Sequence, residues 1–252
     1  MANYQSEIVI SNCVFKDNTS ILQGGAMRNN SNANVTVLNC VFTNNSSINS
    51  ASSAGSGGAV YNFASGGQYI NTVFHNNTAK VSGGATAYSA SGAANQPDFI
   101  NCTFTNNTSP TGNGGAIYIG FGSVTVQNSV FYGNTASSND EIGGGSINSV
   151  NSTNNAGQTT ANGINSGSGF VALSGSPFVN ISNPDGADNI WATSDDGLSI
   201  NASSVLANAG DDTKNSETKD IKEDDRTFHL LDFVGTQPNV FYQLDIRNTN
   251  ES

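Results

Sequence analysis

The chain has 252 residues, 28 of them glycine, with 11% charged residues and a net charge of −11. Eight leucines against abundant Asn, Ser and Thr weigh against helices and for short strands joined by turns. This balance excludes electrostatic binding to nucleic acid or anionic membrane, and no apolar run approaches the roughly 18 residues of a membrane span.

The charge is uneven: residues 1–180 carry a net −2 and the remainder −9. Met1 leads straight into a polar stretch, as expected of an expressed fragment rather than a signal peptide, so compartment is not read from it.

From Ile8 onward one unit is printed five times. Its first element is a pair of alternate residues, Ile8/Ile10, Val35/Val37, Gly67/Tyr69, Pro97/Phe99 and Val124/Val126, which predicts a strand with one buried face. An Asn follows (Asn12, Asn39, Asn71, Asn101, Asn128); Asn tolerates left-handed backbone and suits a sharp bend. Next comes a short strand whose inward positions are Cys13, Cys40, Thr72, Cys102 or Ser129 and, two residues on, Phe15, Phe42, Phe74, Phe104 or Phe131. The phenylalanines step by 27, 32, 30 and 27 residues, the irregular period of a solenoid whose coils differ in loop length.

Three residues after each Phe stands a second Asn column, Asn18, Asn45, Asn77, Asn107 and Asn134, which is expected to form an amide ladder along the stack. Several of these also read as N-x-Ser/Thr acceptors, but their fixed place in the repeat has a structural cause. The third strand opens at a double glycine, with Met27, Val60, Thr86, Ile117 and Ile147 inward. By parity Ala26, Ala59, Ala85, Ala116 and Ser146 point outward, together with Arg28, Tyr61, Ala87, Tyr118 and Asn148. Loops are expected at residues 46–56, 87–96 and 135–142.

The three cysteines share one repeat position without a CxxC or a nearby His, so a buried column of small side chains fits better than a metal site. Cys13 and Cys40 would be spatial neighbours, and a disulfide between them is allowed but not required.

Three strands per coil, stacked at about 4.8 Å, give a rod of about 25 Å over five coils. The unit resembles the GGA[I/L/V]…FxxN repeats of polymorphic outer-membrane proteins, whose passengers are surface-exposed β-helices. It is also similar to right-handed β-helix proteins of the bacterial choice-of-anchor Q type. The closing segment of that type resembles Phe178-Val179-Asn180, Pro184 to Leu198 around Trp191, and Asn208-Ala209-Gly210; Asp225-Arg226 and Leu244-Asp245-Ile246 resemble its ending, although Arg247-Asn248-Thr249 departs from it. The resemblance implies an all-β, right-handed parallel β-helix over residues 1–169, with residues 170–252 as a C-terminal cap continuous with the solenoid. An uncovered end would expose unpaired strand edges.

Candidate chemistry is sparse. Asp185, Asp188, Asp195 and Asp196, with Gly186 and Gly197, could supply oxygen ligands to Ca²⁺, with Asp211 and Asp212 near in sequence; the alternative is an acidic turn whose residues set backbone shape. Polysaccharide lyases need a strong base beside the substrate, yet Lys16, Arg28 and Lys80 occupy non-equivalent positions. The one carboxylate pair of the repeats, Asp140-Glu141, reads as a solvated loop, His75 as an outward surface residue and His229 as a packed one. Tyr61 and Tyr118, with Arg28 in the same column, could stack on sugar rings, or simply cover their neighbours; Tyr88 and Tyr132 lie elsewhere. Thr36, Thr103 and Thr125 form no unbroken column of the kind an ice-binding face needs. The expectation is a non-catalytic secreted or cell-surface module, stalk or adhesin, meeting a surface glycan or another surface protein. The alternative is a carbohydrate-active or carbohydrate-binding β-helix.

Overall fold

Extended segments that each present one apolar face cannot bury it alone; stacked in register they enclose a common core. In the computed structural model the chain does this as a parallel β-solenoid, described here for residues 1–50, 55–90, 96–145, 150–158, 163–165, 167–201, 203–206, 209–211 and 242–243. The first strands of successive coils (Glu7–Ser11, Asn34–Leu38, Gly66–Ile70, Pro97–Ile100, Val124–Gln127, Val150–Thr153) form one parallel sheet. A second sheet takes Cys13–Lys16, Val41–Thr43, Val73–His75, Thr103–Thr105, Val130–Tyr132, Ala156–Gln158 and Val171–Leu173. A third takes Ala2–Tyr4, Met27–Asn30, Val60–Phe63, Thr86–Ser89, Ile117–Phe121 and Ile142–Gly144. Three strands per coil therefore hold, and a fourth ladder of mostly two-residue strands (Thr19–Ser20, Ser46–Ser47, Thr78–Ala79, Thr108–Asn113, Thr135–Ser138) closes the cross-section after the Asn column.

The bends are made as the residue types require. Asn12, Asn39, Asn71, Asn101 and Asn128 all sit at φ 49 to 54°, the left-handed region an amide side chain tolerates best. The phenylalanines stack down the interior, with centroids 4.6, 5.1, 4.8 and 4.7 Å apart from Phe15 to Phe131 and rings within 11° of parallel. Beside them runs the amide ladder. Asn45 Nδ2 donates to Asn77 Oδ1 at 3.0 Å, Asn77 to Asn107 at 2.9 Å and Asn107 to Asn134 at 2.9 Å. Each amide sends its second proton to the Phe carbonyl of the preceding coil, as Asn77 does to Phe42 O at 2.9 Å. Asn45, Asn77 and Asn107 are wholly buried, so they are structural and offer no amide for glycosylation.

Two expectations for the third strand are corrected. Ala26, Ala59, Ala85 and Ala116 belong to the interior core; strand alternation begins only at Met27, Val60, Thr86 and Ile117, so parity cannot be carried back through the glycine turn. In the fifth coil the inward residue is Ile142, paired with Ile117, rather than Ile147; Ser146 to Asn148 lie outside the described residues. Asn139, at φ 56°, stands where the earlier coils have Gly at φ 67 to 69°. Asp140 and Glu141 then occupy the second-glycine and Ala places, Asp140 O facing Gly115 and Glu141 O accepting from Ala116 N. The second glycine is needed because a Cβ on Gly58 would lie 2.0 Å from Gly84 O and 2.7 Å from the Thr78 backbone.

The described residues between 170 and 211 continue the second sheet with Val171–Leu173 and then fold against its outer flank. Val41, Val73, Val130 and Ala156 point away from the interior and form a second core with Leu173, Phe178, Trp191, Leu198, Ile200 and Leu206. At the opposite edge of this sheet, Tyr242–Gln243 pairs in parallel with Cys13–Val14. Asp212, Asp225-Arg226, His229 and Leu244 to Ile246 lie outside the described residues.

Replacing Asn77 by Ala strips two accepted and two donated bonds from a dry interior. At about 1–3 kcal/mol for each buried group left unpaired, the loss should be about 3–5 kcal/mol in urea unfolding, against about 1 kcal/mol for Asn18→Ala at the half-buried end.

Candidate functional site: the outer face of the third sheet

In a strand, residues two apart share a face, so each outward column of the third sheet is one side-chain type per coil. Register places Ala2, Arg28, Tyr61, Ala87, Tyr118 and Gly143 in one such column, joining the three residues singled out from sequence. The Arg28 guanidinium lies over the Tyr61 ring, 6.0 Å from its centroid, and its Nε donates to Asn30 Oδ1 at 3.3 Å. Tyr61 is buried among its neighbours, and burial pushes its hydroxyl pKa up, partly offset by Arg28. Tyr118 and Arg28 stay half-exposed, and Ala87 between the tyrosines is buried.

A second outward column was missed in the sequence. Tyr4, Asn30, Phe63, Ser89 and Phe121 are register partners on successive coils, so aromatics alternate with small polar residues. Tyr4, Phe63 and Phe121 are 64%, 48% and 66% exposed. Gly120 is the extra residue of a bulge, since Tyr88 pairs with Ile119 and Ser89 with Phe121; this shift turns Phe121 outward. The signal was present at Tyr61-x-Phe63, but the bulge breaks the same spacing after Tyr118. Tyr88, by contrast, faces the interior.

Three of the four aspartates of the acidic turn, Asp188, Asp195 and Asp196, serve the local backbone. Asp195 Oδ2 accepts from Ala187 N at 2.6 Å and Asp188 N at 3.3 Å, while its Oδ1 accepts from Thr193 Oγ1 at 2.7 Å. Thr193 and these amides hold the Asp195 carboxyl below its ordinary pKa. Asp196 Oδ2 accepts from Ala192 N at 2.7 Å and Asp188 Oδ1 from Ile190 N at 2.8 Å. Asp185 faces His75. Among the described residues no group of three or more His, Cys, Asp or Glu converges as a metal-ligand set.

Two titratable groups lie elsewhere than their sequence suggested. His75 does point out from the second sheet, but Trp191 covers it, with ring centroids 5.7 Å apart, and its Nδ1 has no partner. Burial lowers its pKa to about 4, against the opposing pull of Asp185. Glu141 is not a solvated loop residue: it is 2% exposed, and Oε2 accepts from Asn134 Nδ2 at 2.7 Å, terminating the amide ladder. Burial pushes its pKa to about 8, with Asp140 adding and the Asn134 bond opposing.

The chain is thus an all-β solenoid with an interior of stacked Phe and Asn and one aromatic outer face. Residues 39–62 and 101–120 match the family model of the Chlamydia polymorphic membrane protein repeat, each match running from the bend Asn through the double glycine into the third strand. No curated protein and no solved structure matches the chain. Among the described residues no helix is long and apolar enough to cross a membrane.

The two shifted groups oppose each other. A carboxyl kept protonated to about pH 8 stabilises the fold fully below about pH 4.3, the unfolded Glu value, and loses that stability as pH rises. A His held neutral down to about pH 4 contributes above about 6.5 and loses its contribution as pH falls. The combined contribution of these two groups should therefore be nearly level from pH 5 to 6.5 and fall above it by up to about 1.4 kcal/mol per pH unit until about pH 8. Glu141→Gln keeps an acceptor for Asn134 and should abolish the fall, as followed by urea midpoints across that range.

Proposed function

We propose that this chain is a surface-displayed, non-catalytic β-helix module that presents its third sheet as a contact face, in the manner of a stalk or adhesin. The observation that carries the reading is the exposed aromatic column Tyr4–Phe63–Phe121 beside Arg28 and Tyr118, on a repeat matching that of polymorphic membrane proteins. Soluble proteins rarely leave such apolar groups aligned without use, and aromatics with Arg are the usual anchors of binding surfaces. The likeness of residues 178–210 to the closing segment of choice-of-anchor Q proteins adds to the surface assignment. Triple substitution Tyr4→Ser, Phe63→Ser and Phe121→Ser should cut retention on intact host or neighbouring cells at least about tenfold while leaving the melting midpoint within a few degrees. Retained adhesion with a normal fold would defeat the reading.

A second reading, a carbohydrate-binding face, is favoured by the alternation itself. Aromatics on every second coil recur at about 10 Å, twice the strand spacing, with Asn30 and Ser89 between them as hydrogen-bonding groups. A linear glycan laid along the rod would stack on the rings and be bonded between them. Glycan-array binding lost in Phe63→Ser and Phe121→Ser would select this reading over a protein partner; lyase or hydrolase turnover by the purified chain would overturn the non-catalytic assignment. Calcium at Asp185, Asp188, Asp195 and Asp196 would compete with the amide bonds that Asp188, Asp195 and Asp196 accept. A midpoint lowered by chelator and restored by Ca²⁺ supports that ion, and an unchanged midpoint removes it.

A further inference from the structure

The cysteine column has one feature that the contact face does not use. Val14 pairs with Val41 in parallel register, so Cys13 and Cys40 occupy the same place on adjacent coils. Their separation of one rung, about 4.8 Å, falls within the Cα range a disulfide spans. Both thiols point toward the same bend: Cys13 Sγ donates to Ser11 O at 3.1 Å, and Cys40 Sγ lies 3.3 Å from Leu38 O and 3.7 Å from Ile10 O. Cys13 stays half-exposed although Tyr242–Gln243 pairs along its strand, whereas Cys40 is buried. Cys102 is excluded by its neighbours in the column, Thr72 and Ser129; its backbone N–H donates to Ser129 Oγ at 3.0 Å.

We propose that Cys13 and Cys40 form an oxidation-dependent disulfide that staples the first two coils of the solenoid. The oxidant is a small-molecule disulfide of the glutathione type. The Cys13 thiolate attacks one sulfur of the oxidant, forming a mixed disulfide and releasing one thiolate, which takes up the Cys40 proton. Cys40 thiolate then attacks Cys13 Sγ, the mixed bond breaks, and the second thiolate leaves. The protein loses two protons and two electrons, and the oxidant gains both. The half-exposed member is suited to attack, because the neighbouring Cys40 thiol lowers the Cys13 thiol pKa to about 7, while Cys40 and the desolvated Cys102 are raised, Cys102 to about 12. Closing the intervening loop restricts local opening of these two coils. This inference does not depend on what the third sheet binds.

The test is thiol counting on the full chain. After incubation with glutathione disulfide, denaturation and alkylation should label Cys102 alone, and non-reducing peptide mapping should link the Cys13 and Cys40 peptides. Proteolysis within the first coil should slow at least about tenfold and recover with dithiothreitol. Cys13→Ser, which places in the column the residue that Ser129 already supplies, should leave Cys40 and Cys102 both labelled. Three labelled thiols after oxidation, a mixed disulfide that persists on Cys13, or a dimer joined through Cys13 would each overturn the proposal.

Discussion

Each coil must repeat its neighbour at one strand spacing, and the buried amide ladder enforces this most strictly. An Asn in that column donates one proton forward to the next amide and the other back to a Phe carbonyl, while its oxygen receives the N–H and Nδ2 of the coil before. All of its hydrogen-bonding capacity is spent within the stack. A slip of one residue would leave every amide buried and unpaired at once, a cost no compensating contact could offset. The stacked phenylalanines add area but not such exact register, since rings tolerate offsets that amides do not.

A ladder that satisfies its interior leaves a problem at its ends. At the first coil Asn18 is half-buried, and its Nδ2 donates to Asn45 Oδ1 and to Lys16 O. At the fifth, Asn134 donates to Glu141, a carboxyl carried by the coil that has lost its Gly-Gly-Ala. The replacement is coherent: Asn139 adopts the left-handed turn that Gly made, and the larger side chain two residues on supplies the missing acceptor. Burial makes the neutral acid the stable form, so the terminator is also sensitive to alkaline pH.

The outward faces divide the remaining work. The valines of the second sheet demand cover and receive it from the segment around Trp191, Leu198 and Ile200. The third sheet keeps Tyr4, Phe63 and Phe121 exposed, which leaves it as the surface on which recognition is proposed. Fold and contact face are thereby separable: the ladder and the phenylalanines can stay constant while outward side chains change.

The coil was legible in the sequence because its determinants are local and repeated. The bend Asn, the Phe spacing of 27 to 32 residues and the double glycine each act within a few residues, and five copies average out the variation. The placement of Arg28, Tyr61 and Tyr118 in one outward column followed from the same alternation. What repetition could not reveal lay where the pattern breaks. Glu141 read as a loop residue because the glycine run of the fifth coil lies within the third strand rather than in the turn before it, and Phe121 was hidden by a one-residue bulge. The burial of His75 depended on a segment more than a hundred residues away, which no periodicity announces. The sequence alone determined the rod, since its short-range determinants recur coil after coil; tertiary structure decided which faces are covered and where the ladder ends, because those depend on a non-repeating segment and on the coil where the pattern breaks.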